Sequence, residues 1–402
     1  MSADPDLVLR IAARGDGVTG DGRHVPLSAP GDRVREDGGL ELGPNHAEPV
    51  CRHFPICGGC QLQHLSDPAY GDYVRDRVAG SLAGQDVEAG AVRPAIVSPP
   101  RTRRRAALRA ARFGKHFQFG FNGQGSHRVV DMQQCEILHP QLFALVAPLR
   151  ALLASFVPDR RSAQVKLTLA DQGADVLVEG IAADGLRDIE KLTGFAQDHK
   201  LARLSIDNGF GPETQWEPEP MTITLGGVPV PFAPYSFLQA TAEGEAALIA
   251  AVREAVREAR TIADLFCGLG TFALALSEGR KIYAAEAARE PLLALKTASA
   301  RTGRAVLTEH RDLFRRPLMA ADASKFDCVL LDPPRAGAEE QVRELASSAV
   351  PVIAYVSCNP ATFARDAKKL VAGGYALDWV QPVGQFRWST HVELAARFSR
   401  AA

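Results

Sequence analysis

Long hydrophobic runs are missing from this 402-residue chain. No stretch of about 18 apolar residues occurs, so no membrane-spanning helix is expected. An excess of one charge is missing too. Lys plus Arg number 46 and Asp plus Glu 47, a formal net charge of −1. Any nucleic-acid surface must therefore come from local clustering. Cysteines are few and odd in number, at Cys51, Cys57, Cys60, Cys135, Cys267, Cys328 and Cys358. Met1 to Asp6 has neither the basic nor the apolar region of a secretory signal. Together these features argue against a disulfide framework and for a cytoplasmic, reducing compartment, where cysteines serve metals, catalysis or core packing. Internal repeats and low-complexity tracts are also lacking. With 46% hydrophobic and 23% charged residues the composition is that of a globular protein, long enough for two or three domains.

What is present changes along the chain. Residues 1–45 read as a few short strands with Gly-, Asp- and Pro-rich turns, too poor in apolar residues for a large core of their own. Residues 46–66 hold three cysteines in a loop-like setting, and residues 92–234 read as mostly strands. Gln164–Leu169 and Asp175–Glu179 alternate, and Thr222–Val230 is a hairpin candidate with Gly-Gly at its turn. From about residue 240 the texture becomes helix and strand in alternation. Short apolar runs at 262–266, 281–286, 305–308, 326–331 and 350–356 predict an α/β fold with a parallel, doubly wound sheet. Tyr375–Val383 and His391–Ser399, with no helix between them, predict an antiparallel hairpin at its edge. The expected division is 1–45, 46–234 and 235–402.

The segment Asp264-Leu-Phe-Cys-Gly-Leu-Gly-Thr-Phe272 follows a strand and opens a helix. Gly268 and Gly270 let the backbone turn sharply and approach a ligand. Glu286, sixteen residues beyond Gly270, ends the next strand, where a carboxylate suits ribose hydroxyls. Asp312 and Asp332 end the third and fourth strands, so all three carboxylates border the crevice at the strands' C-terminal ends. A dinucleotide site would bring a third glycine where Ala273 stands, so the pattern fits S-adenosylmethionine better than NAD. The alternative for Glu286 and Asp312 is an ordinary loop or cap carboxylate.

Tyr355-Val-Ser-Cys-Asn-Pro360 ends the fifth strand and points Cys358 into the same crevice. Pro360 suits the first turn of a helix, whose N-terminus is expected to lower the thiol pKa. A buried structural cysteine is the competing reading. A thiolate that adds to C6 of a uracil makes C5 nucleophilic enough to take a methyl group, and a base must then remove the C5 proton. Glu393, at the head of the last strand, is the candidate base; its alternative is a surface strand residue.

Two further clusters stand out. Cys51, Cys57, Gly58, Gly59 and Cys60, with the distant Cys135, offer four thiolates for a structural zinc or an iron–sulfur cluster. The lone Cys135 is unlike the two tight pairs of zinc knuckles. His53 and His64 read as neighbours, and Cys267 and Cys328 as core residues. Residues 101–128 contain eight basic residues and no acidic one: Arg101, Arg103, Arg104, Arg105, Arg109, Arg112, Lys115 and Arg128. Phenylalanines interleave with them. The arginines are expected to contact RNA phosphates, while Phe117, Phe119 and Phe121 share one strand face and read as core.

These stretches in combination resemble the class I S-adenosylmethionine-dependent RNA (uracil-5-)-methyltransferases, in their iron–sulfur-containing branch acting on 23S rRNA. The matching segments are Ser236–Gln239, Asp264–Gly270, Leu331–Gly337, Val356–Thr362 and His391–Glu393. With the cysteine cluster they span residues 51–400. The resemblance implies a Rossmann-like catalytic domain, a β-rich RNA-binding central domain and a shortened TRAM-like, OB-like N-terminal segment. It implies Cys358 as nucleophile and Glu393 as base. It also implies that Gln239, Phe266, Gly268, Gly270, Thr271, Glu286, Asp312 and Asp332 contact S-adenosylmethionine or the reacting base. A [4Fe-4S] cluster on the four cysteines and rRNA rather than tRNA as partner follow from the same resemblance, and a monomer is expected. Thr241 and Thr271 stand where relatives carry Asn, and Asp312 where they often do. A tRNA-directed enzyme and a noncatalytic iron–sulfur RNA-binding or assembly factor are the alternatives. Cytosine-5 methylation lacks its usual Thr-Cys or Pro-Cys setting.

Overall fold

The computed structural model describes residues 4–400. Its centre is an eight-stranded mixed sheet. From one edge the order is Val306–His310, Lys281–Glu286, Thr261–Leu265, Cys328–Leu331, Val352–Ser357, Glu393–Arg400, Tyr375–Gly384 and Ile96–Val97. The first five strands are parallel. Cys328–Leu331 is buried at all four positions, as expected of a strand covered by helices on both faces. Strand order reverses between Thr261–Leu265 and Cys328–Leu331, which opens a crevice beyond their C-terminal ends.

The last two strands are antiparallel, as their lack of an intervening helix requires, but they are not the edge. Ile96–Val97 pairs in parallel with Val383–Gly384, and single bridges join Ala89 to Leu377 and Val92 to Val380. Residues 89–97 thus cover the row of backbone groups that the hairpin would otherwise leave open. The helix Asp67–Ala83 packs on the same side. Its buried Tyr70, Val74, Val78 and Leu82 recur every four residues and join the core formed by Phe363, Leu370 and Leu377. The Ser66 side chain accepts the Ala69 N–H at its start, with a proline in the first turn. The packing therefore ties residues 67–97 to the C-terminal sheet, across the division expected at 235.

A second sheet has the order Glu213–Trp216, Arg203–Asp207, Gly173–Glu179, Ser162–Ala170, Arg105–Phe113, His116–Gly120. Strands predominate over 92–234, as expected, and three helices join them. Gly173–Glu179 and Arg203–Asp207 run parallel, and a parallel pair needs a crossover, supplied by the helix Leu186–Asp198. Helices Pro140–Phe143 and Val146–Leu153 cover the same core. Thr222–Leu225 and Val228–Pro231 form the expected hairpin, with Gly226 and Gly227 at φ +56° and +80°, the left-handed pair its two-residue turn demands. The N-terminal segment holds a small three-stranded antiparallel sheet of Val8–Ile11, Gly17–Thr19 and His24–Val25, and a short pair of Arg33–Val34 with Leu40–Glu41. Among the described residues no helix is long and apolar enough to cross a membrane.

Candidate active site and cysteine cavity

The glycine turn is built as its residues require. Gly268 and Gly270 have φ of +52° and +90°. A Cβ at Gly268 would meet nothing within 4 Å, so that face of the turn is open, whereas one at Gly270 would strike Leu295 at 2.4 Å. Phe266 also has a positive φ, +66°, a strained conformation for a large residue. Glu286 buttresses the turn: its Oε2 accepts the Gly268 N–H at 3.1 Å and its Oε1 the Ala288 N–H at 2.8 Å. Thr271 begins the helix Thr271–Leu276. Asp312 lies two residues past the Val306–His310 strand, and its Oδ1 accepts the N–H of Phe314. The Phe266 and Phe314 rings stand 5.5 Å apart beside it.

The motif's first residue, Asp264, was not singled out from the sequence. It is fully buried, and neither carboxylate oxygen has a hydrogen-bond partner among the described residues. Burial, with Glu286 nearby, pushes its pKa up to about 8; the Ala273 N–H opposes this but falls short of hydrogen-bond geometry. An orphaned acid beside an open glycine turn is a place built for a polar ligand. Its position inside an apolar strand, immediately before the turn, is the signal that could have found it.

Cys358 and Glu393 meet through strand register. Val352–Ser357 and Glu393–Arg400 are antiparallel, with Val356 opposite Ala395 and Ser357 opposite Leu394. One step further, Cys358 comes opposite Glu393. Asp332, directly after Cys328–Leu331, completes the group and donates its N–H to Leu265 O. The helix Pro360–Ala372 begins as expected, with the Asn359 side chain capping the Ala361 N–H.

The expected lowering of the Cys358 pKa is overturned. Burial, followed by the charges of Glu393 and Asp332, pushes the thiol up to about 11, and the Arg335 guanidinium only partly opposes them. Desolvation is the largest contribution: it disfavours the thiolate by more than the nearby guanidinium favours it. Burial likewise raises Glu393 to about 7 against the Gln385 amide and Arg335. Asp332 lies well above the carboxylate range, through burial and then the charges of Glu393, Asp264 and Glu286. Arg335 also pairs with His391, and its carbonyl accepts from Asn359 Nδ2 at 3.1 Å and Thr362 Oγ1 at 3.2 Å.

Gln239 is buried, and its Oε1 accepts from Gln385 Nε2 at 2.7 Å. Thr241 caps the helix Ala242–Ala255 by accepting the Gly244 N–H at 3.0 Å. Asn is equally suited to a cap, which accounts for the exchange at this position.

The basic run needs the larger correction. Arg104 pairs with buried Glu245 at 2.6 Å, and its Nε donates to Gln239 O. Arg105 donates to Leu238 O at 2.8 Å and lies over Tyr235 and the exposed Phe237. These two arginines hold the Gln239 segment instead of facing phosphates. Arg103 is packed over Phe121 and Phe386, Arg109 donates to Ser162, and Arg112 donates to Val157 O. Arg101, Lys115 and Arg128 are the exposed members, and Arg101 pairs with Glu136. Neighbours in sequence cannot reveal which guanidinium finds an acceptor more than a hundred residues away.

Cys51, Cys57, Cys60 and Cys135 line one small cavity with Phe54, Phe121, Met132 and Ile137. Among the described residues no three His, Cys, Asp or Glu donors converge closely enough to hold a single metal ion. His53 also lines the cavity, but its Nε2 accepts the Gln133 N–H. His64 is buried and its Nε2 faces Ser28 O. At Gly58 a Cβ would stand 2.8 Å from Asn122 O, so only glycine fits there. Cys267 and Cys328 are buried core residues.

A family model described as tRNA (uracil-5-)-methyltransferase matches residues 231–400. An uncharacterized RNA methyltransferase of Zymomonas mobilis is 49% identical over 98% of this chain and 99% of its own length. A Halomonas elongata protein named 23S rRNA (uracil(1939)-C(5))-methyltransferase is 32% identical over 86% of this chain and 75% of its own length. Among solved structures, Pyrococcus abyssi tRNA (uracil-54, C5)-methyltransferase, in complex with S-adenosyl-L-homocysteine, shares the fold at TM-score 0.73. It covers 98% of this chain and 99% of its own, at 23% identity.

Proposed function

The chain belongs to the class I S-adenosylmethionine-dependent RNA (uracil-5-)-methyltransferase family, and from this premise we propose that it methylates C5 of a uridine in structured 23S rRNA through a covalent bond between Cys358 and C6. The observation that carries the mechanism is the register that sets Cys358 opposite Glu393, with Asp332 beside them. The rRNA assignment rests on the Halomonas relative.

The crevice fits S-adenosylmethionine: an open glycine turn, an orphaned acid at Asp264 and acids at Glu286 and Asp312. Gly268, Gly270, Phe266, Thr271, Glu286 and Asp312 would hold it. When bound, it supplies an electrophilic methyl group. The chain's own residues do the rest. Cys358 releases its proton to solvent, the thiolate Sγ bonds C6 of the uracil, and the C5–C6 electron pair moves toward C5 and the C4 carbonyl. Arg335, the cation facing both Cys358 and Glu393, favours the thiolate. Once C5 is methylated, Glu393 removes the C5 proton, the C5–C6 double bond re-forms, and Sγ leaves. Gln239 and Asp332 line the space for the base. A uracil must leave its stack to reach a thiol in this crevice, so a loop or bulge is the expected target.

For the cysteine cavity we propose a [4Fe-4S] cluster on Cys51, Cys57, Cys60 and Cys135. Zinc needs four sulfurs at about 2.3 Å from one point. Four thiols lining one cavity supply the donor number and type that a [4Fe-4S] cluster takes. Anaerobically purified protein is expected to carry about four irons and four sulfides per chain, and Cys135→Ser to lose them. Stoichiometric zinc without sulfide would refute the cluster.

Mass spectrometry of 5-methyluridine in size-separated rRNA and tRNA, from cells with and without the gene, tests the substrate. Loss from the rRNA fraction alone is expected. Loss from tRNA would keep the chemistry and overturn the substrate. Loss from neither, in cells without a second such enzyme, would favour the noncatalytic factor.

A further inference from the structure

Gln385 lies outside every segment that carries the family resemblance, yet its amide holds a residue of the site. It directly follows the Tyr375–Gly384 strand and is buried. Its Oε1 accepts the Ala240 N–H at 2.9 Å. A backbone N–H only donates, so this contact settles which way the amide points. Nε2 then faces the other way, donating to Gln239 Oε1 at 2.7 Å. The packing holds this pose as well: a Cβ at Gly244 would stand 2.5 Å from the Cβ of Gln385.

The consequence falls on Gln239. Its oxygen is taken by Gln385, so the free end of its amide is Nε2. That atom is not sealed in the protein and has no acceptor among the described residues. Addition of a thiolate at C6 works in kind on cytosine as on uracil, so the reaction itself does not choose between them. The two bases differ at C4, where uracil presents a carbonyl acceptor and cytosine an amino donor. A glutamine free to turn would serve either, because its amide has one donor end and one acceptor end.

We propose that Gln385 is a positioning residue that sets the choice of uracil over cytosine, by holding Gln239 with only its N–H donors toward the base. The inference rests on the proposed reading that the target base enters the space between Cys358, Glu393 and Gln239. A cytosine there would set its amino group against the Gln239 N–H and leave both without an acceptor. A site built to pair one polar group rejects the mismatched analogue strongly for this reason.

The test uses the full-length enzyme and RNA from cells lacking the gene. Wild type locates the modified position, and transcripts carrying uridine or cytidine there are then compared by kcat/KM. Wild type is expected to disfavour cytidine. Gln385→Met, which keeps length but no hydrogen bond, is expected to narrow the uridine-to-cytidine ratio about 10- to 100-fold. Gln385→Glu keeps an acceptor for Ala240 but offers Gln239 no donor, and is expected to narrow it too. A folded variant of either kind with an unchanged ratio overturns the proposal, since a merely structural role would lower both rates together. So does wild-type enzyme that forms adducts equally with 5-fluorocytidine and 5-fluorouridine RNA, a measurement that needs no variant. Wild type that methylates no uridine RNA would instead defeat the functional reading, and the proposal with it.

Discussion

Replacing Cys358 with alanine is expected to lower methylation by about four orders of magnitude or more, because the variant lacks the nucleophile that the proposed addition needs. The side chain is small and half-buried, so little stability is lost and the loss belongs to the chemistry. RNA with 5-fluorouridine at the target isolates the step. Fluorine cannot leave C5 as a proton does, so wild-type enzyme is expected to be trapped in a covalent complex stable to denaturing electrophoresis. The alanine variant is expected to form none. Turnover retained by Cys358→Ala, or an active wild type that forms no adduct, would eliminate thiolate addition.

Glu393→Gln is expected to lower turnover by about 10²- to 10⁴-fold, the usual contribution of a general base. Its signature differs from that of Cys358→Ala. The thiol can still add and C5 can still be methylated, but the C5 proton stays, so Sγ cannot leave. A covalent complex is then expected with ordinary uridine RNA, its mass equal to protein plus methylated RNA. A variant that is inactive without an adduct would place Glu393 before addition, as acceptor of the Cys358 proton. The pH dependence has a fixed sign. A base must be ionised, and burial holds Glu393 near 7, so the wild-type rate is expected to rise with pH through about 7. The inflection near 7 is expected to vanish in Glu393→Gln, leaving only the rise that ionisation of the Cys358 thiol imposes at higher pH.

How much of this was legible beforehand depends on the kind of information each feature carries. The strand rhythm from residue 261 onward is local. Parallel strands buried on both faces must be short apolar runs, and their C-terminal ends must share a crevice. That logic alone places Cys358, Glu286 and Asp332 near the glycine turn. The helix Asp67–Ala83 was also written locally, in its Ser66 cap and its apolar residue at every fourth position, and passed unread. By contrast, the sheet's true edge depends on residues 89–97, nearly three hundred positions before the strand they cover. No local pattern announces such a partner.

Composition, spacing and period determined by themselves that this is a globular α/β chain with a nucleotide-type turn, a cysteine at a strand end and four cysteines in two distant places. Only the tertiary structure decided what these groups experience. It sends Arg104 to Glu245 and away from solvent, raises the Cys358 thiol where a helix end alone would lower it, isolates Asp264, and joins the Gln385 amide to Gln239 and the Ala240 backbone. The physical reason is range. Backbone preference and amphipathic period act over a few residues and are printed in the order of the chain. Charge, desolvation and hydrogen-bond satisfaction act through space, and their partners exist only after the chain has folded.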